Sequence, residues 1–222
     1  LSSLLVTSGK QNESDRIRRM AEKAIDAVEQ ILWSEKDGAY IDIQETHHIG
    51  GPYRTLTQDV SLYLVAISEN SARENLTNNR EEGLPREKND DDLSLQRAKR
   101  TLDALRKRVW KEKWPLVTEV ELKSTGPWHL KPYEYHNHTF WPWTTGIEML
   151  ARSRFDRVEE CNLLLSLLTS ESDLHMHTFY EWINPITDEG NGAFPFRTGI
   201  SAFRISVVDI LGNIRRRLSA EA

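Results

Sequence analysis

A mainly α fold is predicted by three features of this 222-residue chain. Apolar residues recur at a period near 3.6 over several separate stretches. No alternation of apolar and polar residues runs long enough to build a sheet core. The helical stretches come as pairs joined by alternately short and long connections, and the long connections hold the aromatic residues and the paired histidines. Such a layout predicts a helical barrel whose loops gather at one end.

The first helix is expected from about Glu13 to Trp33, with Ile17, Met20, Ala24, Ile25, Val28, Ile31 and Leu32 in phase. Ser14 is its expected cap, and Asp15 suits the positive end of the helix dipole. Asp37-Gly38 predicts a turn, Ala39 to Gln44 a short extended piece, and Gly50-Gly51-Pro52 a break. A second helix is expected from about Thr57 to Asn70. Val60, Leu62, Tyr63, Leu64, Val65 and Ile67 make it apolar nearly all round, which predicts burial. Residues 70–92 are polar and charged, and read as a surface insertion that cannot repay the entropy of ordering. Beyond it, Leu95, Ala98, Leu102 and Leu105 mark the inward face of a third helix, Leu93 to Val109. Residues 110–142 are irregular, with a short alternating piece at Leu116 to Leu122. Three more helices are expected at about Thr144 to Arg154, Arg157 to Ser170 and Gly199 to Arg217.

Composition narrows the possible functions. Hydrophobic residues at 38% and charged residues at 28% suit a chain that buries a sizeable core. A net charge of −5 leaves no basic footprint for nucleic acid. The single cysteine, Cys161, excludes an internal disulfide and a multi-cysteine metal site, and its apolar neighbours predict a buried thiol. Apolar runs are too short for a bilayer span and the N-terminal residues lack a signal-peptide pattern, so no membrane partner and a cytoplasmic location are expected.

Two loops carry the chemistry. Tyr133 to Trp143 (YEYHNHTFWPW) packs five aromatic rings, two histidines and a carboxylate into one short stretch, and Phe179 to Arg197 (FYEWINPITDEGNGAFPFR) repeats the theme. Sugar rings stack their C–H faces on Trp and Tyr and direct hydroxyls at polar side chains, so a carbohydrate is the expected ligand. Glu181, flanked by Phe179, Tyr180 and Trp182, is the candidate general acid or base. Trp141, Trp143 and Trp182 are assigned to the site, and Trp33 and Trp110 to packing. His136 with His138, and His175 with His177, form H-x-H pairs. In an extended segment each pair would point to one side, either to hold a transition metal with Glu134 or Glu181 or to hydrogen-bond sugar hydroxyls and loop carbonyls. No helical ligand spacing supports the metal, and no metal or cofactor is expected.

The segment YHNHTFWPWTTGIEMLAR resembles the YHNGTVWPW-type motif of glycosidases built as a toroid of six helical hairpins. That group holds amylo-α-1,6-glucosidases, the processing α-glucosidase I family, mannosylglycerate hydrolase-like enzymes and neutral invertases. FYEWINPITDEGNGAFPFRTGISAF resembles the group's FYENYNPxTG segment, and LWSEKDGAYID its LWDEEDGFYYD hairpin, so the likeness runs in order from about residue 17 to residue 212. The resemblance implies an (α/α)6-toroid and a glycoside hydrolase that inverts an α-glucoside-type bond. Glu181 would be the general base, with His136, Asn137, Tyr180, Phe196 and Arg197 beside the tryptophans in the substrate site. Inversion requires carboxyl groups about 6.5–9.5 Å apart, leaving room for the attacking water. His138 stands where the group often has glycine.

The group's acid is an aspartate upstream of the LWDEEDG hairpin. Residues 1–222 are therefore expected to be the C-terminal portion of such a catalytic domain, about half of the toroid by helix count. The expected protein partner is the N-terminal half or another copy of the chain. Asp59 is the alternative acid within the chain, although its place at a helix start favours a capping, ionised carboxylate, so it is assigned to the site lining. A non-catalytic carbohydrate-binding remnant is the alternative function, and a metal-dependent enzyme using the H-x-H pairs a third.

Overall fold

The computed structural model describes residues 7–46, 51–68, 89–121 and 130–220. Among these residues the chain is mainly helical. Helix α1 spans Gln11–Ile31, α2 residues 60–68, α3 Asn89–Arg108, α4 Pro142–Arg154, α5 Val158–Leu174 and α6 Arg197–Ala220. Sheet is confined to four antiparallel two-stranded ladders: β1 (Trp33–Ser34) with β2 (Ala39–Tyr40), β3 (Asp42–Thr46) with β4 (Gly51–Thr55), β5 (Trp110–Lys111) with β6 (Trp114–Pro115), and β7 (Trp182–Ile183) with β8 (Gly190–Asn191). The helical periodicities are therefore realised, with boundaries shifted by a few residues.

Four local expectations differ. The first helix begins at Gln11 behind Lys10, so Ser14 lies buried within it and is not its cap. Gly51-Pro52 continues as strand β4 instead of breaking the chain, because the β3–β4 ladder supplies the backbone partners. Helix α2 is not buried all round: Leu64 and Ile67 face the core, while Leu62 is 49% exposed. Helix α3 starts at Asn89, inside the stretch read as an insertion; the rest of that stretch, residues 70–88, lies outside the described residues.

The core gathers Leu64 of α2, Ala98, Leu102 and Leu105 of α3, Met149 and Ala151 of α4, and Leu164 and Leu168 of α5, with Tyr40, Leu56, Phe140 and Phe179 from the connections. Burying each large apolar side chain contributes roughly 1.5–3 kcal/mol. Helix α4 lies at the centre, packed against both α5 and α6. Pro142 opens it, where the missing amide costs nothing. Gly146 lets α6 approach closely: a Cβ there would sit 3.2 Å from the Ala202 carbonyl carbon and the Phe203 nitrogen, and Ser206 Oγ donates to the Gly146 carbonyl at 2.7 Å.

Two polar knots tie the helices. Glu29 of α1 accepts hydrogen bonds from Tyr40 and Tyr63 hydroxyls, both at 2.6 Å, and from Arg97 Nη1 at 2.7 Å. Burial alone would push its carboxyl up, but these donors together hold it below the usual carboxylate range, while burial and the carboxylate push both phenols upward. A carboxyl lowered in the folded state contributes stability above its unfolded pKa of about 4.3, and that contribution is lost as pH falls through the folded value. In urea titrations from neutral pH downward, wild-type stability should therefore fall more steeply below about pH 4.3 than that of Glu29→Gln, which lacks the titrating group. Equal slopes would remove Glu29 from the acid limb.

The second knot is fully buried. Glu148 and Arg152, one turn apart on α4, have fully buried side chains and pair at 2.6 Å. Glu148 Oε1 also accepts from Trp110 Nε1 at 2.9 Å, and Oε2 accepts from Gln58 Nε2 at 2.7 Å. Gln58 bonds Thr144 and Thr145 as well, while Arg152 reaches the Leu102 carbonyl. Trp110, assigned to packing, thus carries a structural hydrogen bond, and Trp33 packs edge-on against Tyr40 beneath Arg97 and Arg100.

Candidate functional site

Backbone pairing brings the loops to one rim. The Gln58 amide bonds Val117, the Val117 amide bonds Thr139, and Phe140 and Ile183 exchange both of their bonds, at 3.1 and 2.9 Å. The second helix start, the 116–118 segment and both aromatic loops are thereby joined side by side. The helical pair α4–α5, lying between the two loops in sequence, turns the chain back to make this possible.

On the first loop, the Tyr133, Tyr135 and His138 residues take positive φ of 64°, 49° and 62°, so the segment is a series of turns and not an extended piece. The premise that its H-x-H pair points to one side therefore fails. His136 stacks on Trp141 with ring centroids 4.0 Å apart and planes inclined by 13°, whereas His138 Nδ1 lies 2.7 Å from the Thr118 carbonyl. The second pair is also in a turn, with Met176 and His177 at positive φ; His175 packs edge-on to Tyr180, and His177 lies 3.3 Å from Asp173. Among the described residues no group of three or more His, Cys, Asp or Glu side chains is arranged to hold a metal ion.

Trp141 is 2% exposed: His136 covers one face, Tyr135 and Phe196 meet it edge-on, and its indole N–H donates to the Tyr135 carbonyl and Thr139 Oγ1, each at 3.0 Å. The ring facing the rim here is that of His136, backed by Trp141. Burial lowers the His136 pKa, against the pull of the nearby Glu181 carboxylate, so the imidazole is neutral at pH 7. Trp143 is half-buried. Asn137 is buried with its side-chain amide on the Leu130 carbonyl, which places it behind the rim.

The second loop presents Glu181 from a hairpin. Its amide donates to the Ala193 carbonyl, and its Oε2 accepts the Ala193 amide, both at 3.0 Å. Half-buried, Glu181 has the Tyr180 and Trp182 side chains on either side in sequence. Tyr180 lies against Phe194, ring centroids 4.5 Å apart, and Arg197 opens α6 in an exposed position. The two glycines of the GNG triplet make room for both side chains: a Cβ on Gly190 would fall 2.1 Å from the Tyr180 ring, and one on Gly192 would fall 2.4 Å from Glu181 Oε2. Gly192 also holds φ at 76°, which an L side chain resists. Gly192→Ala should therefore displace the Glu181 carboxylate and cost about 1–2 kcal/mol of stability, measured by urea unfolding. An unchanged midpoint would mean the hairpin relaxes freely.

Asp59 corrects one expectation. Its side chain, just before α2, still reaches solvent, but desolvation by the surrounding protein first and the Asp42 carboxylate second push its carboxyl up, instead of the dipole holding it low. Asp42 in turn accepts a hydrogen bond from Thr57 Oγ1 at 2.5 Å. Asp59 joins the rim through Gln58, its neighbour in sequence and the partner of Val117. Gln58, Glu148 and Arg152, which tie the base of the rim together, had no signal in the sequence beyond being polar residues in apolar helical segments; Gly190 and Gly192 were visible only as turn residues.

No family model matches the chain, and no curated protein matches it. The class defined by fold and site is a mainly helical protein with a carboxylate at an aromatic rim. No described helix is long and apolar enough to cross a membrane.

Proposed function

We propose that the chain is part of a glycoside hydrolase of the six-hairpin toroid type, inverting an α-glucoside-type bond with Glu181 as general base. The observation that carries this reading is the Glu181 carboxylate itself. One oxygen is fixed by the Ala193 amide, and the group sits close enough to the stacked His136–Trp141 pair for its charge to act on the imidazole. A carboxylate so oriented activates a water against the anomeric carbon, while neutral His136, Tyr180 and Phe196 offer ring and hydrogen-bonding surface to the sugar. The partner carboxylic acid that protonates the leaving oxygen is, on the resemblance, an aspartate that precedes the hairpin opening at Leu32. A reducing cytoplasm is the proposed location.

A substrate whose leaving group needs no proton tests the base apart from the acid. α-Glucosyl fluoride should be hydrolysed with β-glucose as the first product, followed by NMR of the fresh reaction. α-Glucose as the first product would overturn inversion. Saccharide binding with no fluoride release would favour the non-catalytic carbohydrate-binding reading, and neither binding nor release would remove the sugar assignment.

A further inference from the structure

Helix α6 buries one face, through Ala202 and Ser206, against α4, and leaves the other without cover among the described residues. On that open face Ile205 is 61% exposed, Val208 62%, Leu211 59% and Leu218 63%. Their spacing of three and seven residues draws a stripe along the helix, and Gly212 leaves a shallow groove in it between Ile205, Val208 and Arg216. Single exposed apolar residues are ordinary; four of them along one open helix face mark a contact surface.

The charges on the same face select the occupant: by helical phase Arg204 and Arg215 lie between Val208 and Leu211, and Arg216 lies at the edge beside Ile205. Arg204, Arg215 and Arg216 are all exposed. The one acidic residue of the helix, Asp209, is already bound by Arg154 Nη2 at 2.6 Å and by Asn213 Nδ2 at 3.0 Å. A second α6 laid on this face would set arginines against arginines, a like-charge juxtaposition that disfavours pairing of two copies through it. We infer that this face docks an amphipathic α-helix whose apolar stripe is flanked by glutamates or aspartates. Apolar side chains would enter the groove over Gly212, and the acidic flanks would meet Arg204, Arg215 and Arg216. The inference is independent of the saccharide reading.

Two synthetic helical peptides of about 20 residues, with one Leu/Ala stripe but Glu flanks in one and Lys flanks in the other, test it by fluorescence anisotropy against the full chain. The Glu peptide should bind at least about tenfold tighter, with the preference shrinking in high salt. Val208→Asp should abolish binding, and the triple change Arg204→Glu, Arg215→Glu and Arg216→Glu should reverse the preference; circular dichroism checks that both variants stay helical. Equal binding of the two peptides, binding of neither, or survival of binding in Val208→Asp overturns the inference. Self-association in sedimentation that Val208→Asp abolishes also overturns it, and assigns the face to a second copy.

Discussion

Glu181→Gln should lower hydrolysis of α-glucosyl fluoride by about 10²–10⁴-fold, the range by which a positioned general base accelerates such a step. The substitution keeps the side-chain oxygen that accepts the Ala193 amide and therefore keeps the hairpin, so the unfolding midpoint should stay close to wild type. A glutamine cannot take the proton of the attacking water, so the loss should fall on kcat while KM changes little. Added azide, a small nucleophile that needs no deprotonation, should restore turnover in the variant and yield β-glucosyl azide. If Glu181→Gln is as active as wild type, the base lies elsewhere and the proposed mechanism fails. If activity is lost together with the unfolding midpoint, the carboxylate is structural.

Glu148→Leu should be the most destabilising single substitution, costing about 3–5 kcal/mol. Arg152 has a fully buried side chain and takes its main counter-charge from Glu148 Oε1, which it meets through both Nε and Nη2 at 2.8 and 2.6 Å. Removing the carboxylate strands a guanidinium in a site shielded from solvent, leaves the Trp110 indole N–H without its acceptor, and leaves the Gln58 amide with Thr145 alone. The double variant Glu148→Leu/Arg152→Met should recover much of the loss, because an apolar pair of similar volume needs no counter-charge. Urea midpoints of the two single variants and the double complete the cycle. A single variant within 1 kcal/mol or so of wild type would mean that water reaches the pair, contrary to its burial.

Helix positions were legible because each packed face imposes its own period on nearby residues. Ala98, Leu102 and Leu105 on α3 lie in the core as their spacing requires. Local pattern failed where a distant partner overrode it. Gly51-Pro52 reads as a chain break, yet the ladder to β3 makes it strand, and Leu62 is as apolar as Leu64 but stays 49% exposed. At the rim, composition marked the two aromatic loops, while the orientation of each ring depended on contacts outside its loop. Trp141 reads as an open stacking platform, but His136 and Phe196 cover it and the histidine takes the facing position. Asp59 reads as a cap held ionised by the helix dipole, until the fold crowds it away from water, first, and sets Asp42 of β3 near it, second, and the shift runs the other way.

The sequence by itself determined that the chain is mainly helical and that its aromatic, histidine and acidic residues are concentrated in two loops. Period and composition are local properties, carried by neighbours within a few turns. Only the tertiary structure decided that Gln58 meets Glu148, that Phe140 pairs with Ile183, and that Gly192 makes room for Glu181. Those contacts join residues far apart in the chain or depend on the fit of one backbone against one side chain, which no local period or composition carries.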